Sequence, residues 1–212
     1  ESVDLFFGRR YAPNFFAWAI PTGSDSARVG LASNEGNIRQ LLDKFVDENF
    51  PRSRRADRKT GLITTGGPIP KTCLQSFMAV GDAAGQTKPT TGGGVVTGGI
   101  CALVAARAAA TALERQDTSL KLLSNLYEFE WRKLLGSEFS KMSTARRIYN
   151  MLSDSTLDEL FKIVLKENLT EEIESSGDID FQSSILTKLA KKPSVMKIVP
   201  RIVGDLVKAL IS

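Results

Sequence analysis

At 212 residues with 42% hydrophobic content, the chain can bury one large core or two small ones. Its net charge of +4 comes without an aromatic-basic stripe, which argues against a nucleic-acid binder. Histidine is absent and the two cysteines, Cys73 and Cys101, form no CxxC pair, so a reducing compartment and no metal site are expected.

Residues 3–7, 15–20 and 27–32 read as strands, with turns at Pro13-Asn14 and Pro21-Thr22-Gly23-Ser24-Asp25. Spacers this short favour antiparallel pairing. Phe16 and Trp18 share one strand face, where they either fill the inside of a sheet or line a pocket. Residues 37–49 follow as a helix with Ile38, Leu41, Leu42, Phe45 and Val46 as its apolar stripe. The basic stretch 51–59 reads as a solvated loop and 61–65 as a short strand. Gly66-Gly67-Pro68-Ile69-Pro70 is a stiff loop.

The chain is organised around residues 76–115. The run 77–80 is apolar throughout, as in a central parallel strand buried on both faces, whose sheet neighbours are expected in an amino-terminal half outside this chain. It stops at Gly81-Asp82, and after a small-residue loop Gly92, Gly93 and Gly94 open a long alanine-rich helix. A strand, an acidic residue at its end and a bare backbone leading into a helix amino terminus make a seat for a polyol beside an electron-rich, partly anionic ring. Gly81 permits close approach of a ligand, and Asp82 can accept hydrogen bonds from its hydroxyls. Gly98, Ala102, Ala105 and Ala109 give the helix a small face for close packing, and Cys101 reads as an apolar filler. No uninterrupted apolar run reaches about 18 residues, so no spanning helix is expected.

From 118 onward the chain reads as helical, with Leu120, Leu123, Tyr127, Trp131, Leu134 and Leu135 as one stripe. Further helices are expected at 155–166, 181–191 and 195–211, separated by Asn168, Gly177-Asp178 and Lys192-Pro193. The last has a stripe of Val195, Ile198, Val199, Ile202, Val203, Leu206, Val207 and Leu210, with Lys197, Arg201 and Lys208 away from it. Such a helix packs on its neighbours or lies in a membrane interface, and Pro200 is expected to bend or interrupt it.

Gly81-Asp82-Ala83-Ala84-Gly85, then Pro89-Thr90-Thr91-Gly92-Gly93-Gly94 and Gly98 one turn on, resembles the second FAD-contacting motif of p-hydroxybenzoate hydroxylase-type flavoproteins. Within that group the chain is most similar to the archaeal geranylgeranyl reductase family. Phe16-Ala17-Trp18 followed by Gly30-Leu31-Ala32 resembles that family's aromatic-x-Trp and Gly-x-Gly motifs. Phe16 stands where the family often has tyrosine, and Ala32 replaces the final glycine. The spacing Tyr127…Trp131-Arg132…Gly136-Ser137-Glu138 resembles the helix after the FAD motif, so the likeness covers roughly residues 1–140.

The resemblance implies an α+β / α/β chain, the carboxyl-terminal part of that FAD-binding fold. An incomplete antiparallel-sheet substrate segment would occupy 1–75, the FAD-motif strand and helix 76–117, and a helical region 118–212. It implies FAD held by Gly81, Asp82, Ala83, Pro89, Thr90, Gly92, Gly93 and Gly94, an isoprenoid lipid against Phe16, Trp18 and Gly30, and the loop 66–70 close to both flavin and substrate. The activity implied is flavin-dependent reduction of geranylgeranyl double bonds in membrane lipids or prenyl diphosphates, with NAD(P)H or ferredoxin as electron donor. The location implied is cytoplasmic, with peripheral contact at the inner face of the membrane. The proton donor is not identified, because relatives carry a functional cysteine in the amino-terminal half and neither Cys73 nor Cys101 has a matching context. A dinucleotide-binding GxGxxG is absent, so the chain is expected to be a fragment or one piece of a split protein, with an amino-terminal half as partner. Two alternatives stay open: another flavoprotein of the superfamily (monooxygenase, halogenase or quinone-linked dehydrogenase), or a non-catalytic lipid- or partner-binding module with a vestigial flavin motif.

Overall fold

A computed structural model describes residues 2–211. In chain order its elements are β1 (Asp4–Phe7), β2 (Phe16–Pro21), β3 (Ala27–Leu31), α1 (Ile38–Asn49), β4 (Cys73–Leu74), β5 (Phe77–Met78) and α2 (Val95–Glu114). Then come α3 (Leu120–Leu123), α4 (Phe129–Met151), α5 (Asp154–Lys166), α6 (Leu169–Ser176), α7 (Ser183–Ala190) and α8 (Pro193–Ile211). A 3₁₀ turn spans Gly81–Ala84, and a π turn at Ser124–Glu128 joins α3 to α4. The chain forms two compact units. The first comprises the segment up to Leu62, Ile148–Ile163 and the residues from Ile198 on; the second comprises Ile63–Arg147 and Val164–Lys197.

In the first unit β1, β2 and β3 pair antiparallel in sequence order, as the short spacers predict. Alternation then sorts the side chains. Ala17 and Leu31 join Ala12 and Phe45 of α1 in a small core, with Phe6 and Tyr11 packed on it. Helix α1 starts where predicted because the Asn37 carboxamide accepts from Arg39 N at 3.0 Å and Gln40 N at 3.2 Å. The basic loop is exposed, as expected, and its Arg55 and Arg58 pair with Asp43 on α1. Later in the chain, Asp205 of α8 accepts from Ser153 N at 2.9 Å, Ser153 Oγ at 2.8 Å and Thr156 Oγ1 at 2.6 Å. Helix α8 runs through Pro200 without a break. Its predicted stripe divides: Ile198 is buried and Ile202 and Leu206 are half-buried, whereas Val203, Val207 and Leu210 are exposed.

The core of the second unit joins Cys101, Val104, Ala105, Ala108 and Ala112 of α2 to Leu123, Tyr127, Trp131, Leu135, Phe139 and Met142. At about 100° per residue, Leu123 and Phe139 would stand roughly 160° apart on an uninterrupted α-helix. The wider π turn takes up that drift, so one face stays buried from Leu123 to Met142. Leu120 and Leu134, predicted to share the stripe, are instead 44% and 59% exposed. The predicted small face of α2 is also corrected. Gly98 and Ala105 are buried but Ala102 is exposed, because the buried face turns by about one residue toward the larger Cys101 and Val104.

Two further expectations fail here. Residues 61–65 form no strand, since no ladder partner reaches them among the described residues. The run 77–80 is not a buried parallel strand. Only Phe77–Met78 pairs, antiparallel with Cys73–Leu74 around Ser76 at φ 57°, and Phe77 is 56% exposed. Helix α2 is long and apolar enough to cross a membrane by length and composition alone. Arg107 breaks its apolar run, and one of its faces belongs to the core of this unit. Helix α6, short and polar, adds a helix to those expected by range; it lies between the separators Asn168, at φ 50°, and Gly177.

Candidate cofactor site

The glycine loop is fixed from behind by buried polar side chains. Gln86, fully buried, accepts from Gly81 N at 2.9 Å and donates to Tyr127 Oη at 2.9 Å. That phenol donates in turn to Ala79 O at 2.5 Å, and burial pushes its pKa up, which keeps it a neutral donor. Thr97 Oγ1 donates to Gln86 O at 2.8 Å, and Thr87 Oγ1 to Thr64 O at 2.5 Å. The far limb closes on itself through Lys88 N to Gly93 O at 2.8 Å and Gly92 N to Lys88 O at 2.7 Å.

These bonds bring the two ends of the motif together. A Cβ on Gly98 would lie 3.4 Å from Gly81 Cα, so the first turn of α2 lies against the Gly81-Asp82 corner. A Cβ on Gly94 would lie 3.1 Å from Asp82 Oδ1 and 2.7 Å from Thr87 Cγ2. Gly92 has φ 76°, and a Cβ there would fall 2.0 Å from Ile63 Cγ2, so only glycine fits. Gly94 is the amino-terminal cap of α2, and no side chain caps the helix. Asp82 and Ala83 are exposed, and the Asp82 carboxylate has no hydrogen-bond partner among the described residues. An open carboxylate thus stands beside an uncapped helix amino end, which suits a polyol and partial negative charge. Pro89 is buried and Thr90 half-buried, so these two predicted contacts shape the loop from inside.

No protein-family model matches the chain. Digeranylgeranylglycerophospholipid reductase 2 of Methanothermobacter thermautotrophicus is 32% identical, over 93% of this chain and 50% of that protein. Digeranylgeranylglycerophospholipid reductase 1 of Methanococcoides burtonii is 35% identical, over 76% of this chain and 40% of its own length. Among solved structures, a geranylgeranyl bacteriochlorophyll reductase-like protein from Thermoplasma acidophilum superposes with a TM-score of 0.77 at 25% identity. That match covers 93% of this chain and 50% of the crystallised one.

The chain belongs to the geranylgeranyl reductase family. It spans about half the length of the curated relatives it matches.

The loop 66–70 borders the glycine motif: Ile69 N donates to Ala84 O at 3.0 Å, and a Cβ on Gly85 would fall 2.3 Å from Gly67 O. Arg132 holds this loop, donating to Pro70 O at 2.8 Å and Ile69 O at 3.1 Å while lying over the Trp131 ring. Glu128 accepts from Arg132 Nη2 at 2.8 Å and Thr72 N at 3.1 Å. Burial pushes the Glu128 carboxyl up, but the Arg132 and Thr72 hydrogen bonds outweigh it and leave the pKa lowered. Burial pushes the Cys101 thiol up to about 12 and raises that of Cys73, so both stay protonated. Gln86, Tyr127 and Glu128 escaped the sequence reading as site-building residues. A glutamine inside a small-residue loop was the one visible signal.

The other geranylgeranyl reductase motif, Phe16-Ala17-Trp18 with Gly30, lies in the first unit. Phe16 and Trp18 are half-buried on the sheet face opposite the Ala17–Phe45 core, so they do not fill the sheet's inner face. Trp18 pairs in register with Gly30, and a Cβ on Gly30 would fall 2.5 Å from Trp18 Cζ2. The glycine therefore makes room for the indole. Leu5 and Phe7 pair with Trp18 and Phe16 in register and open onto a groove of about 490 Å³ that Tyr11, Leu157 and Phe161 also line.

Proposed function

We propose that this chain forms the ring-end portion of an FAD-dependent reductase that saturates geranylgeranyl chains of archaeal membrane lipids. The single observation carrying this reading is the open Asp82 carboxylate beside the uncapped Gly94 end of α2, in a chain whose relatives are named as geranylgeranyl lipid reductases. The residues fit the cofactor: a side chain at Gly94 would crowd the Asp82 carboxylate, and Asp82 is an acceptor without a hydrogen-bond partner among the described residues. Bound FAD supplies hydride transfer to an alkene carbon. Asp82 holds ribityl hydroxyls, the amides at Gly93 and Gly94 stabilise negative charge, and Phe16 and Trp18 form an apolar wall for the prenyl chain. Electrons come from NAD(P)H or ferredoxin. Exposed Val203, Val207 and Leu210 beside Lys208 give α8 a face for peripheral contact with anionic lipid.

The test is anaerobic incubation of the protein carrying this chain with reduced FAD and a digeranylgeranyl lipid, followed by mass spectrometry. The expected product gains two hydrogens per double bond. Asp82→Ala removes an acceptor worth about 1.5–3 kcal/mol and weakens FAD binding by roughly tenfold or more. An oxygenated product, or an unchanged lipid from flavin-loaded protein, overturns the reading.

A further inference from the structure

We infer that residues 178–182, between α6 and α7, form a strap that holds the glycine loop in its ligand-binding shape, with Asp180 and Gln182 as positioning residues. Lys88 is only 8% exposed although it carries a charge, and Asp180 accounts for it. Its Nζ donates to Asp180 Oδ1 at 2.6 Å and to Ile179 O at 2.9 Å. Two residues on, Thr90 Oγ1 donates to Gln182 Oε1 at 2.6 Å. The strap is itself preset. Asp178 Oδ1 accepts from Asp180 N at 2.7 Å and Phe181 N at 3.1 Å, and Gln182 Nε2 donates to Ile179 O at 3.0 Å. Its far end is fastened to α4, where Ser183 N donates to Glu138 Oε1 at 2.7 Å.

The Lys88 stem lies along the glycines: a Cβ on Gly93 would meet Lys88 Cε at 2.9 Å and Nζ at 3.3 Å. Its backbone N and O are the groups that close the loop on Gly93 and Gly92. Removing Asp180 strands a desolvated ammonium there, since one charge of a buried pair is costly without the other. The loop relieves this by carrying Lys88 toward water, which breaks both closing bonds and disturbs Gly92 to Gly94.

The effect on cofactor rests on the flavin reading above; the effect on the loop does not. The experiment uses the full chain and measures hydrogen exchange of the Lys88 and Gly92 amides, against Ala108 and Ala112 of α2 as internal controls. FAD affinity is read from flavin fluorescence. For Asp180→Asn we expect loop exchange to rise by roughly tenfold with the α2 amides unchanged, and FAD affinity to fall by a similar factor. Lys88→Met combined with Asp180→Asn leaves no stranded charge, so exchange and affinity both return toward wild type. A residue that merely stabilised the fold would show no such rescue. If Asp180→Asn loosens the α2 controls as well, Gln182→Met, which removes the bonds to Thr90 and Ile179 without stranding a charge, is the deciding variant. Unchanged loop exchange overturns the strap. Raised exchange with unchanged FAD affinity overturns the positioning role. A wild-type chain that takes no FAD counts against the flavin reading, and the strap is then judged on exchange alone.

Discussion

In the glycine loop of the second unit, the backbone turns are held by directional bonds from buried side chains: Gln86 to Gly81, Thr87 to Thr64, Thr97 to Gln86. In the first unit, Phe16 and Trp18 take their place from strand register and ring packing, with Phe16 stacked on Phe15 and edge-on to Trp18. Hydrogen bonds fix donors and acceptors to narrow ranges of distance and angle, as presenting amides to a fixed polar group requires. Apolar packing tolerates changes of shape more readily, which suits the wall of a site for a flexible hydrocarbon.

Breaking the directional side should be the costlier experiment. Gln86→Leu keeps the volume but leaves Gly81 N without its acceptor and Tyr127 Oη without its donor. It is expected to cost about 1–3 kcal/mol for each buried group left unsatisfied. Denaturant unfolding beside an FAD titration checks it; a loss well under 1 kcal/mol would mean that packing alone holds the loop. Trp18→Ala probes the other side. A fully buried tryptophan costs about 3–5 kcal/mol on truncation, and this half-exposed one should cost about half as much. The lipid KM should rise while flavin content stays put, and a joint collapse of Tm, flavin content and kcat would return Trp18 to plain core.

The smallest effect concerns acid. The folded pKa of Glu128 lies below its ordinary value of 4.5, because the Arg132 and Thr72 bonds outweigh burial. Its contribution to stability is therefore complete above that value and is lost as pH falls through the folded pKa. Glu128→Gln should flatten the acid limb of a Tm-against-pH curve while leaving its slope near neutrality unchanged. An unchanged acid limb would remove Glu128 from the wiring of the 69–73 segment.

Local chemistry made much of this legible. The Asn37 cap, the period-2 strands with short turns, and the glycine run before α2 all announce themselves within a few residues. The polar wiring did not, because Gln86 finds Tyr127 and Lys88 finds Asp180 only after the chain has folded back. The run 77–80 misled for a related reason: apolarity reports burial, whereas a strand needs hydrogen-bonding neighbours, and here the hairpin ladder runs only as far as the Ala79 amide, which bonds to Thr72 O at 2.8 Å. Nor does sequence order reveal that 148–163 and the residues from Ile198 on rejoin the first unit.

The wide turn at Ser124–Glu128 stores one residue of length. A relative shorter by one residue within that stretch would straighten the turn and keep Trp131 and Phe139 facing inward. The same deletion a few residues later, inside α4, would rotate everything beyond it by about 100° and send Met142 toward water. Along the continuous stretch from α3 to α4, a single-residue change of length is therefore expected between Leu123 and Phe129, because only there does that stretch absorb it without a change of face.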